Sequence, residues 1–169
     1  MKPFWITNLI LFQASWFSAA FLTSYATLII TVLLIIHFAL SPNAKDDFKV
    51  LPLVILGLFV DNLHFSIGTF TTPDPFFPNW LVLLWVMFII SLNYSLHWLI
   101  NKPLLVLVAF GAIGGTLSYW GGIKTGALEI NWTNSSVIFT LAIAWGILFP
   151  LLVVSYRYIQ QTLVSQISR

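Results

Sequence analysis

The sequence predicts an all-α integral membrane protein: six transmembrane helices in one compact bundle, with both termini on the cytoplasmic side. Three observations predict it. The composition is 59% hydrophobic and only 7% charged, with a mean hydropathy of +0.96, whereas a soluble domain carries about 25% charged residues. The apolar runs have the length of membrane spans. The basic residues gather on alternate loops. The 169 residues fit a single domain over 1–169. Low charge and high hydropathy also exclude a disordered chain. Seven Lys and Arg leave no basic surface to follow a phosphate backbone, so nucleic acid is not an expected partner. With no cysteine there is no disulfide framework, thiolate nucleophile or Cys-bearing metal centre.

The first apolar stretch, Phe4 to Leu40, contains no Lys, Arg, Asp or Glu. As one helix it would reach ~55 Å, against a bilayer core of about 30 Å. It must fold back, and the turn is placed at Leu22 to Ala26. Span one is then 4–21 and span two 26–40. Ser41-Pro42-Asn43 stops span two, because proline disfavours helix at the residue before it. A polar loop, Ser41 to Lys49, leads to span three at 50–70. The loop from Thr71 to Asn79 holds Pro73, Pro75 and Pro78, which no helix interior accommodates. Span four is 80–100, ended by Asn101-Lys102-Pro103. Span five is 104–122. A polar, glycine-containing stretch from Lys124 to Ser136 leads to span six at 137–158. The tail beyond Gln160 reads as a short helical extension.

Charge tests the count independently. Alternate loops place Lys2, Lys45, Lys49, Lys102, Arg157 and Arg169 on one side, six of the seven basic residues. The other side receives Lys124, with Asp74 and Glu129. Cytoplasmic loops carry the excess of Lys and Arg, so both termini are placed inside. A five-span threading would move only Lys2, and it is the length of Phe4 to Leu40 that argues against it. Lys2 and Ser18-Ala19-Ala20 also resemble a weak signal peptide, but Asn8 and Gln13 interrupt the apolar run. Trp5, Trp98, Tyr156 and Tyr158 fall at the inner boundary, and Tyr25, Trp80, Trp120 and Trp132 near the outer one, where amphipathic rings settle. Trp16, Trp85 and Trp145 fall deeper and need acceptors for their indole N–H groups.

Asp61 is the one acid well inside a span, ~16 Å from the inner end of span three. A carboxylate at that depth costs at least ~2.5 kcal/mol, and an intramembrane acid is a functional candidate by default. His64 is its nearest partner in sequence, one turn along the same face. Two readings of Asp61 stand: a ligand- or proton-binding group, or a carboxylate that fixes the bundle through hydrogen bonds to other helices. Asn62, Gln13 and Ser91 lie at comparable depth and complete a central polar layer, with Trp85 and Trp16 as an apolar wall. An inner polar layer comprises Asn8, His37, Asn93 and His97. No histidine spacing of HxxxH or HxxE type supports a metal, and the residues name no cofactor. In span five Gly111, Gly115, Ser118 and Gly122 form a small-residue face, which commonly lets another helix approach closely and otherwise brings backbone near a ligand. No nucleophile elbow, phosphate loop or dinucleotide fingerprint is present, so no catalytic residue is assigned.

Several segments together resemble a known family. They are Asn8 to Phe17, including Gln13 and Trp16; Gly57 to Asp61; Pro78 to Phe88, including Trp80 and Trp85; Ser95 to Leu99; and Gly111 to Tyr119, running on to Gly126. Over nearly the whole chain these resemble the small bacterial inner-membrane proteins of domain-of-unknown-function family 2878. The resemblance implies a bacterial inner-membrane location. Through the fatty-acyl-modifying enzymes that such genes often neighbour, it implies lipid-related work. It carries no assigned activity. Where the family has a proline after the paired glycines this chain has Thr116, which predicts a straighter span five.

Three functions fit the residues. The first is binding or transport of a small amphipathic or lipid-like molecule, with Asp61 serving a proton or headgroup and the Pro73–Pro78 loop covering the outer mouth. The second is an accessory subunit that holds membrane lipid-modifying enzymes through the glycine face. The third is a membrane enzyme with Asp61 and His64, or Asn93 and His97, as acid–base groups. The partners expected are the lipid bilayer, a small amphipathic ligand or lipid, and a membrane protein.

Overall fold

A computed structural model describes residues 4–72 and 77–167, with side chains through 161. Among the described residues there are eight α-helices and no strand. The helices are α1 (Phe4–Phe21), α2 (Thr23–Leu40), α3 (Ala44–Val50), α4 (Val54–Ser66), α5 (Asn79–Ser91), α6 (Leu104–Phe110), α7 (Thr116–Lys124) and α8 (Asn134–Ile167). Five helical segments are long and apolar enough to cross a membrane by length and composition: Phe4–Phe21, Thr23–Leu40, Ala44–Ser66, Leu104–Lys124 and Asn134–Gln161. Large apolar side chains cover the outside, Leu105 being 79% exposed, Ile55 68% and Phe139 67%. A surface of that kind is compatible with a lipid bilayer.

The fold-back of the first stretch is tighter than its composition suggests. Leu22 alone separates α1 from α2, its N–H bonding the Ser18 carbonyl at 2.9 Å, so α2 begins at Thr23 rather than Ala26. Small residues line the join: Ala19, Ala20 and Ala26 are buried, and Ser18 and Thr23 return their hydroxyls to carbonyls four residues back. Such self-bonding lets polar side chains sit in an apolar helix without free donors.

The expected polar loop at 41–49 is helical from Ala44. Its N-terminal turn carries Asp46 and Asp47, where acids complement the helix dipole. A 3₁₀ turn at Leu51–Leu53 holds Pro52 and joins α3 to α4, so the third segment starts earlier than residue 50. It also stops sooner, at Ser66 rather than Phe70. Gly68, at φ 75°, then turns the chain where a side chain would be strained.

The fourth segment departs most from a plain span. Its helix ends at Ser91, and 13 residues rise only ~20 Å, short of a bilayer core. From residue 92 to 100 the chain continues in turns and a 3₁₀ turn at His97–Leu99. Leu92, Ser95 and Leu99 are buried, so one side of this irregular stretch packs inside the protein, while His97 and Trp98 are exposed. The fifth segment is not a regular helix either. Between α6 and α7 the residues Gly111–Gly115 form a π-helical turn, so the absence of proline at Thr116 does not make it regular. Helix α8 starts at Asn134, three residues before the expected span, and continues through Pro150 into the tail.

Packing sorts the termini of these helices into two ends. At one end Arg157 near the end of α8 donates to the Ile100 and Lys102 carbonyls, and Asn8 of α1 meets Ser95. At the other, Thr71 and Glu129 form a two-way backbone bridge, both N–H···O distances being 2.8 Å. Of the aromatic residues expected at the boundaries, Tyr25, Trp98 and Tyr158 are exposed, but Trp80 and Tyr156 turn inward and are buried.

Candidate functional site

The centre of the bundle is a stack of two tryptophans between two glycines. Trp85 of α5 and Trp145 of α8 lie parallel, their ring centroids 5.3 Å apart and their planes at 6°. A Cβ at Gly57 of α4 would run into the Trp85 ring, and one at Gly115 would run into the Trp145 ring. Both glycines are therefore needed for room. A Cβ at Gly111 would meet the Trp145 carbonyl and Phe149. Gly111 and Gly115 are thus buried against α8 of the same chain.

One turn beyond each glycine stands a polar residue that locks the stack. Asp61, four residues after Gly57, accepts the Trp85 indole hydrogen at 2.6 Å. Tyr119, four residues after Gly115, donates its hydroxyl to Asp61 at 2.6 and 2.7 Å. Asp61 is 2% exposed, so its carboxyl oxygens are shut away from water. Two donors compensate it, as a buried carboxylate requires. The carboxylate therefore ties α4, α5 and α7 together. His64 is not its partner. It is buried, its ring stacks on Phe70 at 5.3 Å, and its Nδ1 has no hydrogen-bond partner. The expected Asp61–His64 pairing fails because the donors from α5 and α7 reach the carboxylate instead.

The rest of the expected central layer does not assemble. Asn62 points outward and bonds its own Leu58 carbonyl. Ser91 is buried but bonds the Met87 carbonyl of its own helix. Both satisfy their donors on the backbone four residues back, as polar side chains in apolar helices do. Gln13 is exposed. Trp16 of α1 donates its indole hydrogen to Ser118 of α7 at 2.8 Å, and its ring covers Gly121. Gly122 faces Leu128 rather than another helix.

Beside the stack lies a cavity of about 450 Å³, within the range of small-molecule sites. Phe12, Gln13 and Trp16 of α1 form one wall, and Leu81, Leu84 and Phe88 of α5 another. Trp85 and Trp145 of the stack line it too, with Leu117, Ser118 and Tyr119. None of its lining residues is charged. Asp61 is not part of the lining; it stands behind Trp85 and Tyr119. The 73–78 loop expected to cover this region lies outside the described residues over 73–76.

The inner layer has a hub that sequence reasoning missed. Asp47, assigned there to a loop, is fully buried. It accepts from Ser41 at 2.6 Å, Asn93 at 2.8 Å and Tyr94 at 3.1 Å, and pairs with His37 Nε2 at 3.1 Å. Tyr156 of α8 donates to Asn93 at 2.8 Å. The Asn8 carbonyl oxygen accepts from the Ser95 backbone at 3.2 Å and its hydroxyl at 2.6 Å. His97 stays outside this network, exposed, its Nδ1 3.2 Å from the Leu92 carbonyl. Asn93 and His97 therefore do not form a pair. Only the placement of Asp46 and Asp47 in the first turn of a short helix signals the hub in the sequence. Among the described residues no three His, Asp or Glu side chains converge as metal ligands.

The profile of a family described as "Protein of unknown function (DUF2878)" matches residues 5–151. No curated protein and no solved structure matches the chain.

Proposed function

The chain belongs to the DUF2878 family, and on that premise we propose that it binds or transports a small amphipathic or lipid-like molecule in a bacterial inner membrane. The cavity beside the Trp85–Trp145 stack is the observation that carries this reading. It is largely apolar and of ligand size, as small-molecule sites are. Its hydroxyl-bearing edge at Ser118 and Tyr119 would orient a polar end. Asp61 acts through Trp85 and Tyr119, as a positioning residue rather than a contact to the ligand.

The whole chain forms one six-pass domain with both termini cytoplasmic. Support comes from the five apolar segments of span length, with α5 and residues 92–100 together making the sixth pass. The positive-inside distribution of Lys and Arg supports the orientation. Transporter sites near the bilayer midplane are a parallel at the level of architecture only.

Native mass spectrometry of protein gently extracted from its own membrane tests the binding role. The expected result is a reproducible small molecule that Gly114→Leu removes. At Gly114 an added Cβ meets only Phe110, at 3.9 Å, so the larger side chain occupies cavity space without breaking the stack. A chain carrying only bulk phospholipid, unchanged in Gly114→Leu, would overturn the reading.

A further inference from the structure

We propose that the molecule bound in this cavity is an uncharged amphiphile with a hydroxyl at its polar end, taken up sideways from the bilayer between α1 and α7. The inference rests on the binding role above and specifies its chemistry.

Charge is the first argument. No lining residue carries one. A phosphate or carboxylate entering the cavity would lose its hydration and gain no cation, a cost no apolar wall offsets. A cationic head would gain little either, because Asp61 does not reach the cavity and already accepts from Trp85 and Tyr119. A neutral head remains.

Hydrogen-bond direction is the second. Tyr119 has committed its single hydrogen to Asp61, so its oxygen can only accept from a ligand. Ser118 accepts from Trp16 and keeps a hydroxyl hydrogen of its own. A ligand hydroxyl can bond either group, donating to Tyr119 and accepting from Ser118. A ketone, ester or ether oxygen can only accept, from Ser118 or from the Gln13 amide at the mouth, and leaves the Tyr119 oxygen without a donor.

The mouth is the third. Gln13 and Leu117 line the cavity and are both exposed. The surface flanking them is apolar, with Ile10 62% exposed, Ile113 62% and Leu117 63%. Across the mouth α1 and α7 are joined by the Trp16–Ser118 hydrogen bond. The opening thus faces the flank of the bundle, where lipid lies in the proposed setting.

The test uses four probes with one chain and different heads: dodecanol, dodecanoate, dodecyl phosphate and dodecane. Each is offered to the full chain in nanodiscs, in alkaline buffer that keeps the carboxylate ionised, and retention is read by native mass spectrometry. Dodecanol is expected to bind about tenfold or more tightly than either anion. Tyr119→Phe should weaken dodecanol about fivefold and leave dodecane unchanged, the loss of one hydrogen bond. Ser118→Ala gives the same reading should Tyr119→Phe fail to fold. Gly114→Leu should exclude all four. Equal or better binding of an anion, blocked by Gly114→Leu, would overturn the proposed class while leaving a binding cavity. Retention of no probe in a Gly114-sensitive way would overturn the cavity reading itself.

Discussion

Gly57 and Asp61 stand one turn apart on α4 and act on the same ring. The glycine makes room for Trp85 and the carboxylate accepts its hydrogen. Gly115 and Tyr119 do the matching work on Trp145 and Asp61. Gly57→Ala and Gly115→Ala should therefore each destabilise the fold by about 1–3 kcal/mol, the cost of overpacking a rigid site. Gly114→Ala, with open space beside it, should change stability by less than about 0.5 kcal/mol. Thermal unfolding in mild detergent checks the contrast, and equal melting of all three variants would unseat the stack. Asp61→Leu strands the Trp85 and Tyr119 donors, at about 1–3 kcal/mol each. Asp61→Asn keeps an acceptor oxygen and should lose less. Equal losses for Asn and Leu would mean that charge, not acceptance, is what Asp61 supplies. An acid inside the apolar run at Asp61 was legible in the sequence. Its partners were not, because Trp85 and Tyr119 lie 24 and 58 residues away along the chain, and only packing brings them in.

At the scale of elements, the boundaries that were legible are those set by local chemistry. Helix α1 ends where expected, at Phe21, and proline and asparagine after Leu40 end α2. The boundaries that moved are those set by distant partners. Residues 92–100 look apolar enough for a helix, yet Ser95 is drawn to Asn8 and Asn93 to Asp47. Those bonds replace the helical ladder that ends at Ser91. Helix α3 carries the other half of the arrangement, since its Asp47 gathers Ser41, Asn93, Tyr94 and His37. Asp47→Leu removes the acceptor from all of these groups at once. A loss of about 3–5 kcal/mol is expected, as for other broken buried pairs, together with faster hydrogen exchange over residues 92–100 than elsewhere in the bundle. Exchange confined to α3 would show that the irregular segment holds itself. The π turn at Gly111–Gly115 was not legible in the sequence for a similar reason. Glycines read as a packing face, and the Trp145 ring pressed against Gly115 supplies a tertiary reason for departing from regular helix.

For the molecule as a whole, the proposed threading is open to direct measurement. A reporter fused after Arg169 should read cytoplasmic, and one inserted at Asp74 should read external. A cytoplasmic signal at Asp74 would overturn the six-pass arrangement. The same arrangement brings Asp47 and its network to the end where the basic loops lie, and the Thr71–Glu129 bridge to the other. The cavity sits between these ends, with its mouth on the apolar flank.

What the sequence by itself determined is the kind of protein and its order of segments. Hydropathy, run length and prolines act locally, and they are enough to specify an all-helical chain with apolar segments of span length. Even the individual polar residues that matter, Asp61, Trp85, Asn8, His37 and Asn93, stand out because a polar group in an apolar run carries a cost. What only the tertiary structure decided is which of them meet. Asp61 turned from His64 to Trp85 and Tyr119, Asn62 and Ser91 closed on their own helices, and Asp47 emerged as a hub. A hydrogen bond needs its partners within about 3 Å. Among helices that approach only when packed, that distance is a property of the bundle, not of any single segment.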